Sequence, residues 1–177
     1  MVRSRWKVGP MTQDEVIEVV IEIPKGSRNK YEYDHVKHVI RLDRRRFSAT
    51  VYPADYGFVP ETLAEDGDPL DVLMLLEDAT FPGCWVRVGP IGVFRMEDEA
   101  GRDAKIICVP ERDPNYQNVG DVSDLPEHLL EEIKHFFDMY KMLEPGKSST
   151  TFGYEGHAAA REEICRSPRA VRTLGDA

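Results

Sequence analysis

The chain has 177 residues, a net charge of −9, and 41% apolar against 31% charged residues. That length supports one domain with a substantial core, and the acidic balance excludes a general nucleic-acid or anionic-membrane binder, which needs a basic surface. Cys84, Cys108 and Cys165 are far apart and odd in number, so neither a disulfide framework nor a zinc pair is written in the chain, and a reducing cytoplasm is the expected compartment.

Residues 1–14 carry cations but no apolar stretch of the signal-peptide kind, and are expected to form a disordered lead to a single domain over 15–167. No apolar run approaches the length of a membrane span. Val16–Ile23, "VIEVVIEI", is largely β-branched and alternates with Glu18 and Glu22, the pattern of a strand. "PKGSRN" turns the chain, and "KYEYDH" with "HVIRLDR" reads as a hairpin. The continuous apolar run "VLMLL" over 72–76 predicts a short strand buried on both faces. "WVRVGPIGVFRME" and "AKIICVP" are two further strands, with the acidic turn "DEAGRD" between them. From Leu129 the apolar positions 129, 130, 133, 136, 137, 140 and 143 mark one helical face, started by Asp124 and Pro126 and stopped by Pro145-Gly146. "AAAREEICR" over 158–166 predicts a shorter second helix, and 168–177 a frayed tail. Strands first and helices last imply an α+β, mainly β fold, with helices packed on a small closed or strongly bent sheet.

The chemistry gathers in the acids. Between Glu61 and Asp78 there are seven acids and no lysine or arginine. A solvated loop is the bland explanation. Against it, Gly67 and Pro69 fix a tight turn among the acids, and the run leads straight into a core strand. Crowded carboxylates repel, and hard cations with oxygen ligands relieve that repulsion. Counted from Asp66, an EF-hand loop would need glycine at its sixth position; Asp71 stands there, so that calcium site is excluded. A second acidic cluster, "EDEAGRD" over 97–103, precedes Lys105. Lys30, Arg44, Lys105 and Lys141 each sit beside a predicted strand or helix end, and Tyr52, Tyr56 and Tyr140 can bury a ring while presenting a hydroxyl. Singly, such residues are surface charge or core packing; together they suit a polyanion held with metal. His35 and His38 make no zinc motif, and neither a nucleophile elbow nor a Walker A loop is present.

"DGDPLDV" (66–72) resembles the signature of the soluble family I inorganic pyrophosphatases. "VIEIPKGSRNKYEYD", "LDR", "YPADYGFVPETLAEDGDPLDVL", "GPIGVFRMEDEAGRDAKIICVP" and "DLPEHLLEEIKHFFDMYKMLEPGK" resemble further segments of that family in order, so the resemblance covers roughly residues 16–166. It implies a five-stranded OB-like closed barrel with two C-terminal helices. It also implies Mg2+-dependent hydrolysis of pyrophosphate to two phosphates by attack of an activated water. By the same resemblance the metal ligands are Glu22, Asp66, Asp71, Asp98 and Asp103. The substrate contacts are Lys30, Arg44, Tyr56, Lys105, Tyr140 and Lys141, with Glu32 and Tyr52 in support. Asp68, or alternatively Asp103, accepts the proton of the attacking water. A cytoplasmic homohexamer is the implied assembly, with no nucleic-acid or membrane partner. The chain departs from the family pattern at Met142, where Asp is common, and at Tyr154, where Trp is common. It also lacks the usual apolar pattern after Lys147. These departures concern local packing and subunit contacts. The rival readings are a silent phosphate-binding barrel and a single-stranded nucleic-acid barrel. Asp66, Asp71 and Asp103 are all retained, which speaks against the first, and the acidic 61–78 segment speaks against the second.

Overall fold

The computed structural model describes residues 16–64 and 67–167. The expected disordered lead, the frayed tail, Glu65 and the metal-ligand candidate Asp66 therefore lie outside the described residues. The strands are β1 (Ile17–Ile23), β2 (Asn29–Asp34), β3 (Val39–Arg45), β4 (Asp55–Phe58), β5 (Asp71–Met74), β6 (Trp85–Asp98), β7 (Gly101–Pro110) and β8 (Ser149–Gly156); the helices are α1 (Glu127–Met139) and α2 (His157–Arg166).

The main sheet runs β1-β4-β5-β7-β6-β8, and β1 also pairs with β6. Five strands thus form a closed ring, as the resemblance implied, with β8 added on the outer side of β6. Closure removes the free edges that a five-stranded open sheet would carry. Most pairs are antiparallel; β5 and β7 are parallel, with Asp71 opposite Lys105 and Leu73 opposite Ile107. The β2–β3 hairpin forms a separate two-stranded sheet. At the β1–β4 crossing the backbones approach so closely that a Cβ on Gly57 would stand 2.0 Å from the Val20 carbonyl oxygen, so only glycine fits there.

Period-two alternation splits the core. Val72, Met74, Ile106 and Cys108 pack on one face with Val19, Ile21 and Val93. Leu73, Leu75, Ile107 and Val109 pack on the other, against Ile133, Phe136 and Phe137 of α1. The run at 72–75 is buried throughout, as its unbroken apolar character requires. Asp71, Asp103 and Lys105 fall in register with the α1-facing set. The helix covers the apolar part of that face, and its polar part lies beyond the helix.

Three local expectations are revised. The acidic segment 97–103 is mostly strand, because β6 and β7 run on to a two-residue turn in which Asp98 pairs with Gly101 and Met96 with Asp103; Gly101 has φ +122°, which the tight reversal requires. The helix ends at Met139, so Leu143 of the predicted stripe is 63% exposed. Residues 147–156, read as unpatterned, contain β8: β6 offers an edge, and Phe94 pairs with Tyr154 across it. The Tyr154 hydroxyl donates to the Leu130 carbonyl at 2.7 Å, tying β8 to α1. Phe136, Phe137 and Tyr140 are buried within the protomer, so the three aromatic rings at the end of α1 belong to the core.

Candidate active site

Lys105 is the centre of the site. Its side chain is 2% exposed, and its ammonium donates to Asp71 at 2.8 Å, to Asp103 at 2.8 and 3.0 Å, and to the Tyr56 hydroxyl at 3.2 Å. The Tyr56 hydroxyl in turn donates to Asp71. The fold builds this cluster simply: Asp103 and Lys105 are two residues apart on β7 and share a face, and parallel pairing sets Asp71 of β5 beside Lys105. Burial works to discharge the lysine, but Asp71 and Asp103 outweigh it and hold the ammonium protonated well above the ordinary lysine range. Tyr56 is pushed well up, first by burial and then by the field of Asp71 and Asp103, so it is a neutral donor at any working pH.

Acids surround this centre. Glu22, on β1, accepts the backbone N–H of Tyr33 at 2.6 Å. Burial, opposed by that hydrogen bond and reinforced by Asp71, raises its pKa to about 7. Asp103 is also raised: burial lifts it, Lys105 draws it down, and Asp71 and Asp98 push it up again. Burial is the larger cause in both, and neighbouring carboxylates add to it. Asp98 ends β6 and receives the Lys141 ammonium at 2.7 Å. Among the described residues no three acidic, histidine or cysteine side chains already converge as a cage for metal, since Lys105 and Lys141 stand between the acids. The donors are nonetheless all oxygen, crowded, and electrostatically strained toward a positive partner. Glu22, Asp71, Asp98 and Asp103 therefore fit a hard divalent cation.

The remaining cations come from the β2–β3 hairpin and from the turn after α1. Lys30 and Arg44 face each other across the β2–β3 hairpin. Lys30 binds Glu32 at 2.6 Å, Asp43 lies 3.9 Å from it, and Asp43 also accepts from Arg44. Tyr140 and Lys141 follow the last turn of α1. Tyr140 is buried, and Lys141 contacts both Asp98 and Glu99. Tyr52 packs edge-on against Tyr56 at 5.6 Å between centroids. Asp68 is exposed on the loop before β5, where its carbonyl accepts the Ala64 N–H at 2.7 Å.

Three participants were not foreseen. Glu99 gathers Lys141 and Lys147, the latter at 2.6 Å. Glu144 is buried and accepts from Arg44 at 2.8 Å, with Arg46 at 3.5 Å from its other oxygen. For Glu144 the only sequence signal was its place three residues after Lys141, on the stretch where the helical stripe breaks down. Arg46 had none beyond lying two residues after Arg44.

The model of the family described as inorganic pyrophosphatase matches residues 19–172. The inorganic pyrophosphatase of Streptomyces coelicolor is 54% identical over 158 residues, covering 89% of this chain and 97% of that protein. The inorganic pyrophosphatase of Leifsonia xyli is 58% identical over 150 residues, covering 85% and 91%. Among solved structures, the inorganic pyrophosphatase from Thermus thermophilus superposes with a TM-score of 0.86 at 46% identity, over 93% of this chain and 95% of that one. With a ring of five strands, acids and cations facing one another at one end of its α1-covered face, and these likenesses along almost its whole length, the chain belongs to the inorganic pyrophosphatase family.

Proposed function

We propose that the protein hydrolyses pyrophosphate to two phosphates with Mg2+ as its metal, and that the carboxylate of Asp68, or alternatively of Asp103, accepts the proton of the attacking water. The chain is an inorganic diphosphatase, and the finer assignment rests on the Tyr56–Asp71–Lys105–Asp103 cluster, a buried ammonium and phenol held between two carboxylates. The residues proposed to hold the metal are Glu22, Asp66, Asp71, Asp98 and Asp103. A divalent cation held there would supply charge neutralisation of phosphate oxygens and acidification of a water. The chain's own groups do the remainder. Lys30, Arg44 and Lys141 bind the polyanion and offset the charge that grows on the leaving phosphate. Arg44 supplies a planar fork and the lysines point charges. Tyr56 and Tyr140 donate hydrogen bonds without adding charge, and Lys105, itself a proposed substrate contact, also orients Asp71 and Asp103. Positioning and electrostatics carry most of such a phosphoryl transfer.

The proposed assembly is a cytoplasmic homohexamer of one domain spanning 15–167. The exposed Phe81, Trp85 and Phe152 offer apolar surface for subunit contacts, and all three cysteines are free thiols. No described helix is long and apolar enough to cross a membrane. Phosphate release from pyrophosphate and from ATP, each with Mg2+ and with Mn2+, tests the reading. Release from pyrophosphate that requires Mg2+ and exceeds that from ATP supports it; no release with millimolar Mg2+ removes it. Asp68→Asn separates the two proton acceptors: turnover falling by about 10²-fold or more with metal affinity retained assigns the role to Asp68, and unchanged turnover passes it to Asp103.

A further inference from the structure

Arg46 is buried at the foot of the site, with its side chain 2% exposed. Its guanidinium lies over the Tyr140 ring at 4.7 Å and over the Tyr52 and Phe136 rings at 5.5 Å each. It donates to the Tyr52 hydroxyl at 3.2 Å and to the Tyr140 carbonyl. It also reaches Glu144, whose other oxygen receives Arg44 at 2.8 Å. One buried cation thus touches Tyr52 and Tyr140 directly and Arg44 through a single carboxylate. Arg44 lies on β3 and Tyr140–Lys141 follow α1, about a hundred residues away in sequence; no other side-chain contact described here joins those two arms.

We infer that Arg46 and Glu144 are positioning residues that clamp the Arg44 arm and the Tyr140–Lys141 arm into the relative placement needed to grip pyrophosphate. The inference rests on the reading of the site given above. Three observations carry it. The Arg46 cage is aromatic, so an apolar side chain would fill it without a charge to compensate. The Arg46 Nε is buried without a partner, a cost that packing alone does not require. Glu144 is buried in a turn whose neighbours Met142 and Leu143 are exposed, so beyond the buried Tyr140 this turn is seated by ion pairs, the Arg44–Glu144–Arg46 bridge among them, beside Lys141 on Asp98 and Glu99. A substrate gripped at both ends needs the two arms held to within a fraction of an ångström, since small displacements of binding groups cost large factors in rate.

The test is steady-state pyrophosphate hydrolysis with Mg2+ by the full chain and by Arg46→Met, Arg46→Lys and Glu144→Gln, with urea unfolding of each. Arg46→Met keeps the cage filled. The expected result is a near-native unfolding midpoint with KM for pyrophosphate raised about tenfold and kcat lowered by less, as for loss of ground-state and transition-state grip together. Arg46→Lys, which restores the charge but not the fork, falls between the two. With Arg44 replaced by alanine, Arg46→Met should add a smaller loss than in the parent, because part of its effect passes through Arg44 and the rest through Tyr140. If Arg46→Met does not fold, Glu144→Gln decides, with an expected KM increase of about threefold or more. Unchanged KM in the folded variants, with only stability altered, overturns the inference while leaving the pyrophosphatase reading in place. A lower KM in Glu144→Gln overturns it too, since Glu144 would then be only a charge competing with substrate for Arg44. A full chain that releases no phosphate from pyrophosphate removes the functional reading and the inference with it.

Discussion

Replacing Lys105 by methionine removes one charge from the centre of the site and keeps the aliphatic length. Lys105 stands 2.8 Å from both Asp71 and Asp103; at an effective dielectric of about 20, each contact represents roughly 6 kcal/mol of attraction. Much of that is offset by the cost of desolvating a side chain only 2% exposed. Removing one partner of such a buried set leaves the other charges uncompensated and typically costs about 3–5 kcal/mol. Asp71 and Asp103 keep 26% and 14% side-chain exposure, so water takes up part of the loss and the expected destabilisation is near the lower figure, about 3 kcal/mol. Asp103 should also protonate at higher pH than in the parent, because the lysine's restraint on it is gone. Urea unfolding at pH 7.5, with and without Mg2+, measures this. Mg2+ should stabilise the methionine variant more than the parent, since a cation then meets acids with no lysine between them. A loss below about 1 kcal/mol, the range of ordinary surface ion pairs, refutes the view that Lys105 compensates the acids. So does equal stabilisation of both proteins by Mg2+.

Three further outcomes follow from the same geometry. Glu22 has an ordinary pKa of 4.5 raised to about 7, chiefly by burial; a carboxyl raised on folding contributes stability that is fully present below the lower value and lost as pH rises through the higher. In EDTA the unfolding free energy should therefore fall between pH 5 and 8 by up to about 3 kcal/mol, and Glu22→Gln should flatten that fall; parallel profiles would sink the assignment. Gly57→Ala drives a methyl to 2.0 Å from the Val20 carbonyl oxygen, so it should part β1 from β4 and cost about 3 kcal/mol or more, read as a lowered denaturation midpoint or loss of soluble protein. Tyr154→Phe removes the hydroxyl bonded to the Leu130 carbonyl and should cost about 1 kcal/mol with little change in activity; a large loss of turnover would instead place β8 in the catalytic machinery.

The site was legible where its residues follow one another in register on strands. Asp103 and Lys105, two apart on β7, and Glu22, at the end of an alternating run, carry their geometry in their spacing. The hairpin that sets Lys30 opposite Arg44 could likewise be read from its two polar-alternating arms. What escaped was decided by distant partners. Neither β4, four residues long, nor the half-polar β8 satisfies a strand pattern; each is a strand because a neighbour offers it hydrogen bonds. The reach of β6 and β7 past the acidic turn came from their mutual pairing, against the low strand propensity of Glu97, Asp98 and Asp103.

The break in the α1 stripe joins these observations. Periodicity carries the helix to Leu143, and an α-helix that long would direct Leu143 inward, with Glu144, four residues after Tyr140, on the same face. The chain keeps only one of the two inside: Leu143 is 63% and Glu144 7% exposed. Burying a carboxylate in place of a leucine forfeits about 2 kcal/mol of apolar burial, and the carboxylate is tolerated only because Arg44 and Arg46 meet it. Local propensity yields here to a tertiary ion pair, and it does so where the chain turns from scaffold to binding arm. Such conflicts between local preference and final structure concentrate at functional sites. The exposed Leu143 beside the buried Glu144 thus belongs with the aromatic cage around Arg46: the helix stops short, Tyr140 stays in the core, and Lys141 and Glu144 answer to charged partners from other elements.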